Sequence, residues 1–169
     1  MKIGITVFGA LLLILIGIVG YGQSNKEIAL TKAREAIKLM DNGKVDESME
    51  LLEQAQKLDP ERFDYPYELA YAHYLKEDFK GAIKILEEIK RHKDVTDRLF
   101  QLLGNSYDIL GKSDKAFEIY DEGLTRFPTS GMIYLEKGNV FWNKKEYEKA
   151  LPFYEKGIEV DPSFSSNYY

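Results

Sequence analysis

The chain has 169 residues, which is enough for one compact domain or a short repeat array. It contains no cysteine, which excludes a disulfide framework, a thiolate nucleophile and a cysteine-type zinc site. Its 28 acidic and 23 basic side chains give a net charge of −5, which argues against a nucleic-acid partner, because phosphate binding needs a basic surface.

The N-terminal residues 1–22 differ in composition from the rest of the chain. No charged residue lies between Lys2 and Lys26. This apolar run predicts either a signal peptide that is cleaved near Gly22 or an N-terminal membrane anchor, and both alternatives stay open. Both predict export, because Lys2 favours an N-terminus held inside. We therefore expect a periplasmic or other extracytoplasmic protein, either anchored in the membrane by its N-terminal helix or released after cleavage, with residues 23–28 as a short linker.

After this linker, the sequence repeats with a period of 34 residues. Small residues recur at this spacing in two series: Ser48, Ala82, Ala116 and Ala150, and Ala36, Ala70, Gly104 and Gly138. Within each repeat, large apolar residues recur at three- and four-residue steps, which predicts helices. The sequence therefore predicts four helix pairs, at residues 29–62, 63–96, 97–130 and 131–164, and residues 165–169 begin a fifth unit.

The repeats resemble those of the tetratricopeptide repeat (TPR) family, with the pattern Trp-x2-Leu-Gly-x2-Tyr, then Ala-x3-Phe, then Pro. The third repeat reads Phe100-x2-Leu103-Gly104-x2-Tyr107, then Ala116-x3-Tyr120, then Pro128. The fourth has the same spacing, with Lys137 in place of the leucine, whereas the first two match less closely and the first is divergent. The resemblance implies an all-α, right-handed α-solenoid of about four helix pairs, preceded by the N-terminal hydrophobic segment.

Gly104 and Gly138 are expected where the two helices of a pair approach closely, so that a side chain there would push them apart. Each pair cannot bury its apolar surface alone, so stability comes from stacking on neighbours. No polar capping helix follows residue 164. We therefore expect either further chain or a partner over the last helix, and self-association through this uncapped C-terminal end is an open alternative.

No convergent set of catalytic groups is visible in the sequence. His73 falls at a packing position of the second repeat, and His92 lies near a helix end, where a basic residue suits the helix dipole. No metal-binding histidine motif or glycine-rich phosphate loop is present. The sequence therefore predicts no enzymatic activity, no cofactor and no metal site.

In the TPR family, the first helix of each pair lines a concave groove that commonly receives an extended peptide or a helix. The repeat register places these candidate partner-binding residues there: Tyr67, Tyr71, Tyr74, Arg98, Gln101, Asn105, Asp108, Asn139 and Trp142. Asn105 and Asn139 could bond a peptide backbone through both donor and acceptor atoms. The alternative is that these side chains are packing residues or solvated surface.

Family members that clamp the carboxylate tail of cytosolic chaperones share basic residues and asparagine in this groove. The matching positions here include Tyr67 and Gln101, so the resemblance does not extend to that role. The predicted function is a non-enzymatic, exported protein-interaction scaffold that binds another protein in the groove, with membrane attachment through residues 1–22 if they are uncleaved. One alternative is a structural, self-assembling component of an envelope complex. Another is a ligand- or glycan-binding module that uses Tyr71, Tyr74 and Trp142.

Overall fold

The computed structural model of this chain describes the backbone of residues 7–165 and the side chains of residues 24–163. Within these residues the regular structure is helical and there is no strand. The helices, in chain order, are α1 (Val7–Asp41), α2 (Val45–Leu58), α3 (Asp64–Leu75), α4 (Phe79–Ile89), α5 (Asp97–Ile109), α6 (Ser113–Arg126), α7 (Gly131–Asn143), α8 (Tyr147–Val160) and α9 (Pro162–Ser165).

Helix α1 is longer than the sequence predicts. It continues without a break through residues 23–28, where we expected a linker. The predicted signal peptide or membrane anchor concerns residues 1–22, whose side chains lie outside the described residues. In the part of the chain that the structure describes, no helix combines the length and the apolar character needed to cross a bilayer.

The chain divides into two compact units, Met1–Tyr65 and Pro66–Tyr169. In the first unit, α1 packs against α2 through small and aliphatic side chains. Ala29 and Ala36 of α1 and Leu52 and Ala55 of α2 are fully buried. These small residues let the two helix axes approach closely, which is the packing that the alanine series predicts.

The second unit contains three helix pairs, α3 with α4, α5 with α6, and α7 with α8. The close approach expected at the glycines is confirmed, because a Cβ atom on Gly104 would lie 2.6 Å from Cζ of Tyr120. Gly138 has the same relation to Tyr154, with a Cβ 2.6 Å from Cδ1. Each glycine therefore makes room for a tyrosine ring from the second helix of its own pair.

Neighbouring pairs in the second unit are joined by polar side chains as well as by apolar packing. The Lys90 ammonium at the end of α4 pairs with Glu87 at 3.1 Å and with Glu122 of α6 at 2.9 Å. Ser130, which caps α7, donates a hydrogen bond to Asp97 at the start of α5. These bonds fix the register between successive pairs. The all-α fold that the sequence predicts is confirmed.

The turn inside each helix pair contains one residue with a left-handed backbone. These residues are 34 positions apart, namely Gly43, Glu77, Gly111 and Lys145, with φ between 61° and 76°. A second repeated feature ends three of the pairs, because each is followed by a proline and the residue before a proline is disfavoured in the α region. Asp59, Phe127 and Asp161 accordingly have extended φ values between −129° and −140° and terminate their helices.

Candidate functional site

The nine candidate residues lie on α3, α5 and α7, the first helices of the three pairs in the second unit. Four of them, Tyr74, Asn105, Asp108 and Asn139, line one open cleft of about 220 Å³. The rest of its lining comes from α5, α6 and α7, namely Ile109, Tyr120, Glu136, Val140 and Asn143. The three first helices thus contribute to one concave surface, which we call the α3–α5–α7 groove.

The two candidate asparagines make the same hydrogen bond, one repeat apart. The Tyr120 hydroxyl donates to Oδ1 of Asn105, and the Tyr154 hydroxyl donates to Oδ1 of Asn139 at 3.0 Å. Each tyrosine ring lies against the glycine that precedes its asparagine, so the hydroxyl reaches the groove side of the first helix. These bonds fix each amide in orientation and occupy part of its acceptor capacity.

The amide donors of the two asparagines differ in their bonding. Nδ2 of Asn139 donates to the carboxylate of Glu136 at 3.1 Å. Nδ2 of Asn105 has no hydrogen-bond partner among the described residues. Asn105 therefore presents two N–H groups at the cleft that a peptide carbonyl can accept.

Glu136 lies at the centre of the hydrogen-bond network in the groove. Its two carboxylate oxygens accept from Gln101 Nε2 at 2.7 Å and from Asn139 Nδ2 at 3.1 Å. Both partners are neutral amides, and Glu136 forms no ion pair within the described part of the chain. Gln101 thus contributes to the site as a support for Glu136 rather than as a wall of the cleft.

The carboxylate of Asp108 supplies a second negative charge to the cleft. Its Oδ1 accepts a hydrogen bond from the Ser113 hydroxyl at 2.7 Å, again from a neutral donor. Burial, with a further contribution from the negative charge of Glu136, raises the pKa of Tyr74 and Tyr120 above the usual tyrosine value. The tyrosine hydroxyls of the groove therefore stay protonated at neutral pH and act as hydrogen-bond donors.

Five candidates lie outside the cleft lining. Gln101 acts through Glu136. Tyr67 is half-buried on α3, and burial raises its pKa to about 12. Tyr71 is 39% exposed on α3. Arg98 lines a separate surface depression together with Met132 and the α6–α7 turn, so the structure does not bring it to the asparagines.

Trp142 is 54% exposed although it touches two tyrosines. Its ring lies 4.6 Å from that of Tyr147 in an edge-on arrangement and 6.4 Å from that of Tyr154. Since Tyr154 also bonds Asn139, Trp142 lies beside the groove and continues its surface along α7. Of the three aromatic residues considered for ligand binding, only Tyr74 lines the cleft.

Sequence reasoning missed Glu136, Asn143 and Ile109 as groove residues. Glu136 stands one repeat after Leu102, which is buried, so the register predicts a core position there. One signal was available, since Glu136 precedes Asn139 by three residues and such residues share a helix face. Ile109 is 52% exposed, which is unusual for isoleucine and adds an apolar edge to the cleft.

The arrangement can recognise a ligand by hydrogen bonding and charge. No histidine lines the cleft, and no group of three histidine, aspartate or glutamate side chains in the described residues could hold a metal ion. The groove instead combines a free amide donor, two carboxylates and exposed apolar edges. An amide donor and exposed apolar edges beside an open cleft can hydrogen-bond and pack against a polypeptide segment.

Comparisons with known proteins place these features in a family. Profiles of the tetratricopeptide repeat match residues 39–105, 97–130 and 132–164. Among curated proteins, the chain is similar to the TPR repeat-containing protein YpiA of Bacillus subtilis (strain 168), with 23% identity over 141 residues that cover 83% of this chain and 33% of that protein. It is also similar to the Hsp70-Hsp90 organizing protein of Triticum aestivum, with 27% identity over 135 residues that cover 80% of this chain and 23% of that protein.

The chain therefore spans a third or less of the length of these relatives. Among solved structures, a crystal structure of MamA has a TM-score of 0.68 at 23% identity, covering 82% of this chain and 81% of that one. A thermophilic TPR protein of Thermus thermophilus has a TM-score of 0.69 at 17% identity, covering 79% of this chain and 75% of that one. At these identities the likeness shows the fold, and together with the repeat profiles it shows that this chain belongs to the tetratricopeptide repeat family, whose members act as scaffolds for protein–protein interaction.

Proposed function

We propose that this chain is a non-enzymatic interaction scaffold that binds a segment of a partner protein, as an extended peptide or a helix, in the α3–α5–α7 groove. The observation that carries the proposal is Asn105, whose amide is held in place by Tyr120 while both of its N–H groups remain unpartnered, among the described residues, at an open cleft. A fixed donor loses little entropy on binding, so it suits recognition of a main-chain carbonyl.

Exposed apolar side chains along the same helices support the proposal. Leu75 of α3 is 42% exposed, Ile109 of α5 is 52% exposed and Trp142 of α7 is 54% exposed. Large apolar residues exposed near a concave polar surface are a feature of binding sites. Tyr71, Tyr74 and Trp142 have apolar rings with polar edges, which is the composition of residues that dominate binding energy.

A crosslinked pull-down from the envelope fraction of the source cell tests the groove. The full chain is compared with a groove variant that carries Asn105→Ala, Asn139→Ala and Trp142→Ala. The matched control carries Lys115→Ala, Glu118→Ala and Thr125→Ala, at three exposed positions of α6 that lie outside the cleft lining. We expect a partner that the wild type and the control capture and the groove variant loses. Equal capture by the groove variant would overturn the groove model.

Export is a separate part of the proposal and rests on the apolar composition of residues 1–22. Alkaline phosphatase folds to its active form only outside the reducing cytoplasm, because it depends on disulfides. Fusing it after residue 28 should give an active enzyme, and deleting residues 2–22 from the fusion should abolish the activity. Equal activity with and without the segment, or no activity with it, would refute export.

The alternative function, a self-assembling structural component, is favoured by one observation on α8. Tyr147, Leu151 and Ile158 are 50%, 55% and 45% exposed, and their spacing of four and seven residues places them on one side of that helix. If this surface drives assembly, the wild-type chain should form concentration-dependent oligomers in sedimentation, and Leu151→Ser with Ile158→Ser should leave a monomer. A monomeric wild type at all concentrations would remove this alternative.

A further inference from the structure

We infer that the partner segment recognised by the α3–α5–α7 groove carries a lysine or arginine side chain that enters the cleft between Glu136 and Asp108. This inference rests on the proposed function, because it names the chemistry of the segment that the same groove binds.

The charge of the cleft is negative and has no counter-ion among the lining residues. Glu136 and Asp108 are the only residues of that lining that ionise at neutral pH, and none of its nine members is a lysine, arginine or histidine. Some carboxylates elsewhere in the second unit do pair with cations, as in the pairs of Lys90 with Glu122 and of Lys137 with Asp121. The two groove carboxylates differ from these because their hydrogen-bond partners are the neutral side chains of Gln101, Asn139 and Ser113.

Neutral hydrogen-bond donors hold a carboxylate in position without cancelling its charge. Gln101 and Asn139 bond one oxygen each of Glu136, so the group is oriented before a ligand arrives. Each carboxylate oxygen has further lone pairs that can accept from a cation. A half-buried negative charge that is fixed and uncompensated binds a cation more strongly than a mobile surface carboxylate does, because the side-chain entropy is already lost.

The size and the walls of the cleft suit one long basic side chain. A volume of about 220 Å³ corresponds to roughly seven water molecules at about 30 Å³ each, which is room for a lysine or arginine side chain with some water. Tyr74 contributes an aromatic ring to the lining, and such a ring attracts a cation. Ile109, which is 52% exposed, supplies apolar contact for the methylene groups.

The amide of Asn105 supplies the main-chain contact beside this charge. Its free N–H groups can donate to a carbonyl of the segment while the basic side chain reaches Glu136 and Asp108. The recognised element is therefore a short basic motif in a polypeptide, in contrast to the acidic carboxylate tails bound by the chaperone-clamping members of the family. Charge complementarity of this kind sets the choice of partner and accelerates association.

Selection of peptides tests the inference even though the partner is unidentified. Random peptides displayed on phage are selected on the immobilised full chain, and the enriched peptides are synthesised and titrated by fluorescence anisotropy. We expect a shared lysine or arginine position in these peptides. Glu136→Gln and Asp108→Asn should each weaken binding about tenfold, the size expected for a lost hydrogen bond to a charged group. Glu118→Gln, on an exposed carboxylate of α6, makes the same charge change outside the groove and should leave the affinity unchanged.

A charge reversal provides a second measurement. Selection on Glu136→Lys should replace the enriched basic residue with glutamate or aspartate. Selected peptides that need Asn105, Asn139 and Trp142 for binding but show no preference for a basic residue would overturn the inference and leave the proposed function in place. Absence of any peptide whose binding depends on these three residues would overturn both.

Discussion

Replacing Glu77 or Lys145 with glycine should stabilise the protein. Both residues occupy the left-handed turn position that Gly43 and Gly111 hold in the other two helix pairs, with φ of 61° and 62°. A residue with a Cβ atom loses about 1–2 kcal/mol in this conformation. Glycine avoids that loss but gains about 0.5–1 kcal/mol of unfolded-state entropy. The net gain should be about 0.5–1 kcal/mol for each substitution.

These two positions isolate the backbone effect from other interactions. Neither side chain makes an ion pair or a side-chain hydrogen bond with any residue that the structure describes. Glu77→Gly removes a negative charge and Lys145→Gly removes a positive one, so a gain in both cannot come from electrostatics. The reciprocal control is Gly111→Ala, because a Cβ atom there would meet nothing within 4 Å and only the φ of 73° opposes it. It should cost about 1 kcal/mol.

Equilibrium unfolding in urea measures the effect as a shift of the midpoint at constant slope. Thermal unfolding should give a gain of about 2–4 °C per kcal/mol for a chain of this size. The two glycine variants should unfold at higher urea and Gly111→Ala at lower urea. If both glycine variants lose stability, or if Gly111→Ala is neutral, the left-handed backbone is not the source of strain and the reasoning fails.

Three further predictions concern packing, burial and capping. Gly104→Ala should cost about 1–3 kcal/mol in urea unfolding, because the added methyl overlaps the Tyr120 ring, and a neutral result would contradict the close approach. Burial raises the pKa of Tyr67 to about 12 from about 10 in the unfolded chain. The contribution of this residue to the free energy of unfolding is therefore complete below pH 10 and is lost as the pH rises toward 12. A pH titration of unfolding free energy should therefore fall less steeply over this interval in Tyr67→Phe than in the wild type, and identical slopes would refute the assignment. Asp78→Ala should cost about 1 kcal/mol at pH 7, because the Asp78 carboxylate caps α4 by accepting from the Gly81 N–H. That hydrogen bond and His73 lower the pKa of Asp78, so the difference between variant and wild type should shrink as the pH falls below about 4, where the carboxylate is protonated, and a constant difference would show that the cap does not depend on charge.

The helix pairs could be predicted from the sequence because the spacing of small and apolar residues determines them. The period of 34 and the helical steps within it require no knowledge of tertiary structure. The close approach of the two helices at Gly104 followed from the same register, whereas the contact of this glycine with the Tyr120 ring came from the structure. Asn105 and Asn139 were identified as groove residues for this reason.

The bonding inside the groove could not be predicted in the same way. The Tyr120 hydroxyl reaches Asn105 because the Tyr120 ring passes over Gly104. The position of that ring is visible only in the three-dimensional structure. Glu136 stands where the preceding repeat has the buried Leu102, so the repeat register predicts a core residue at this position and not a groove residue. Its half-buried carboxylate is tolerated because amides from α5 and α7 hold it, and that compensation spans two repeats.

Lys137 departs from the family pattern in a way that makes it useful as a reporter. It replaces the leucine of the repeat, is 8% exposed, and its ammonium group pairs with Asp121 and lies 4.9 Å from the centre of the Phe153 ring. Acylating reagents attack the small deprotonated fraction of a lysine amine, and they can reach that fraction on any lysine that is exposed at the surface. Because Lys137 is shielded by this packing and ion pair, we expect its labelling to be much slower than that of the exposed Lys149, and the ratio of the two rates would report on the opening of the α7–α8 pair.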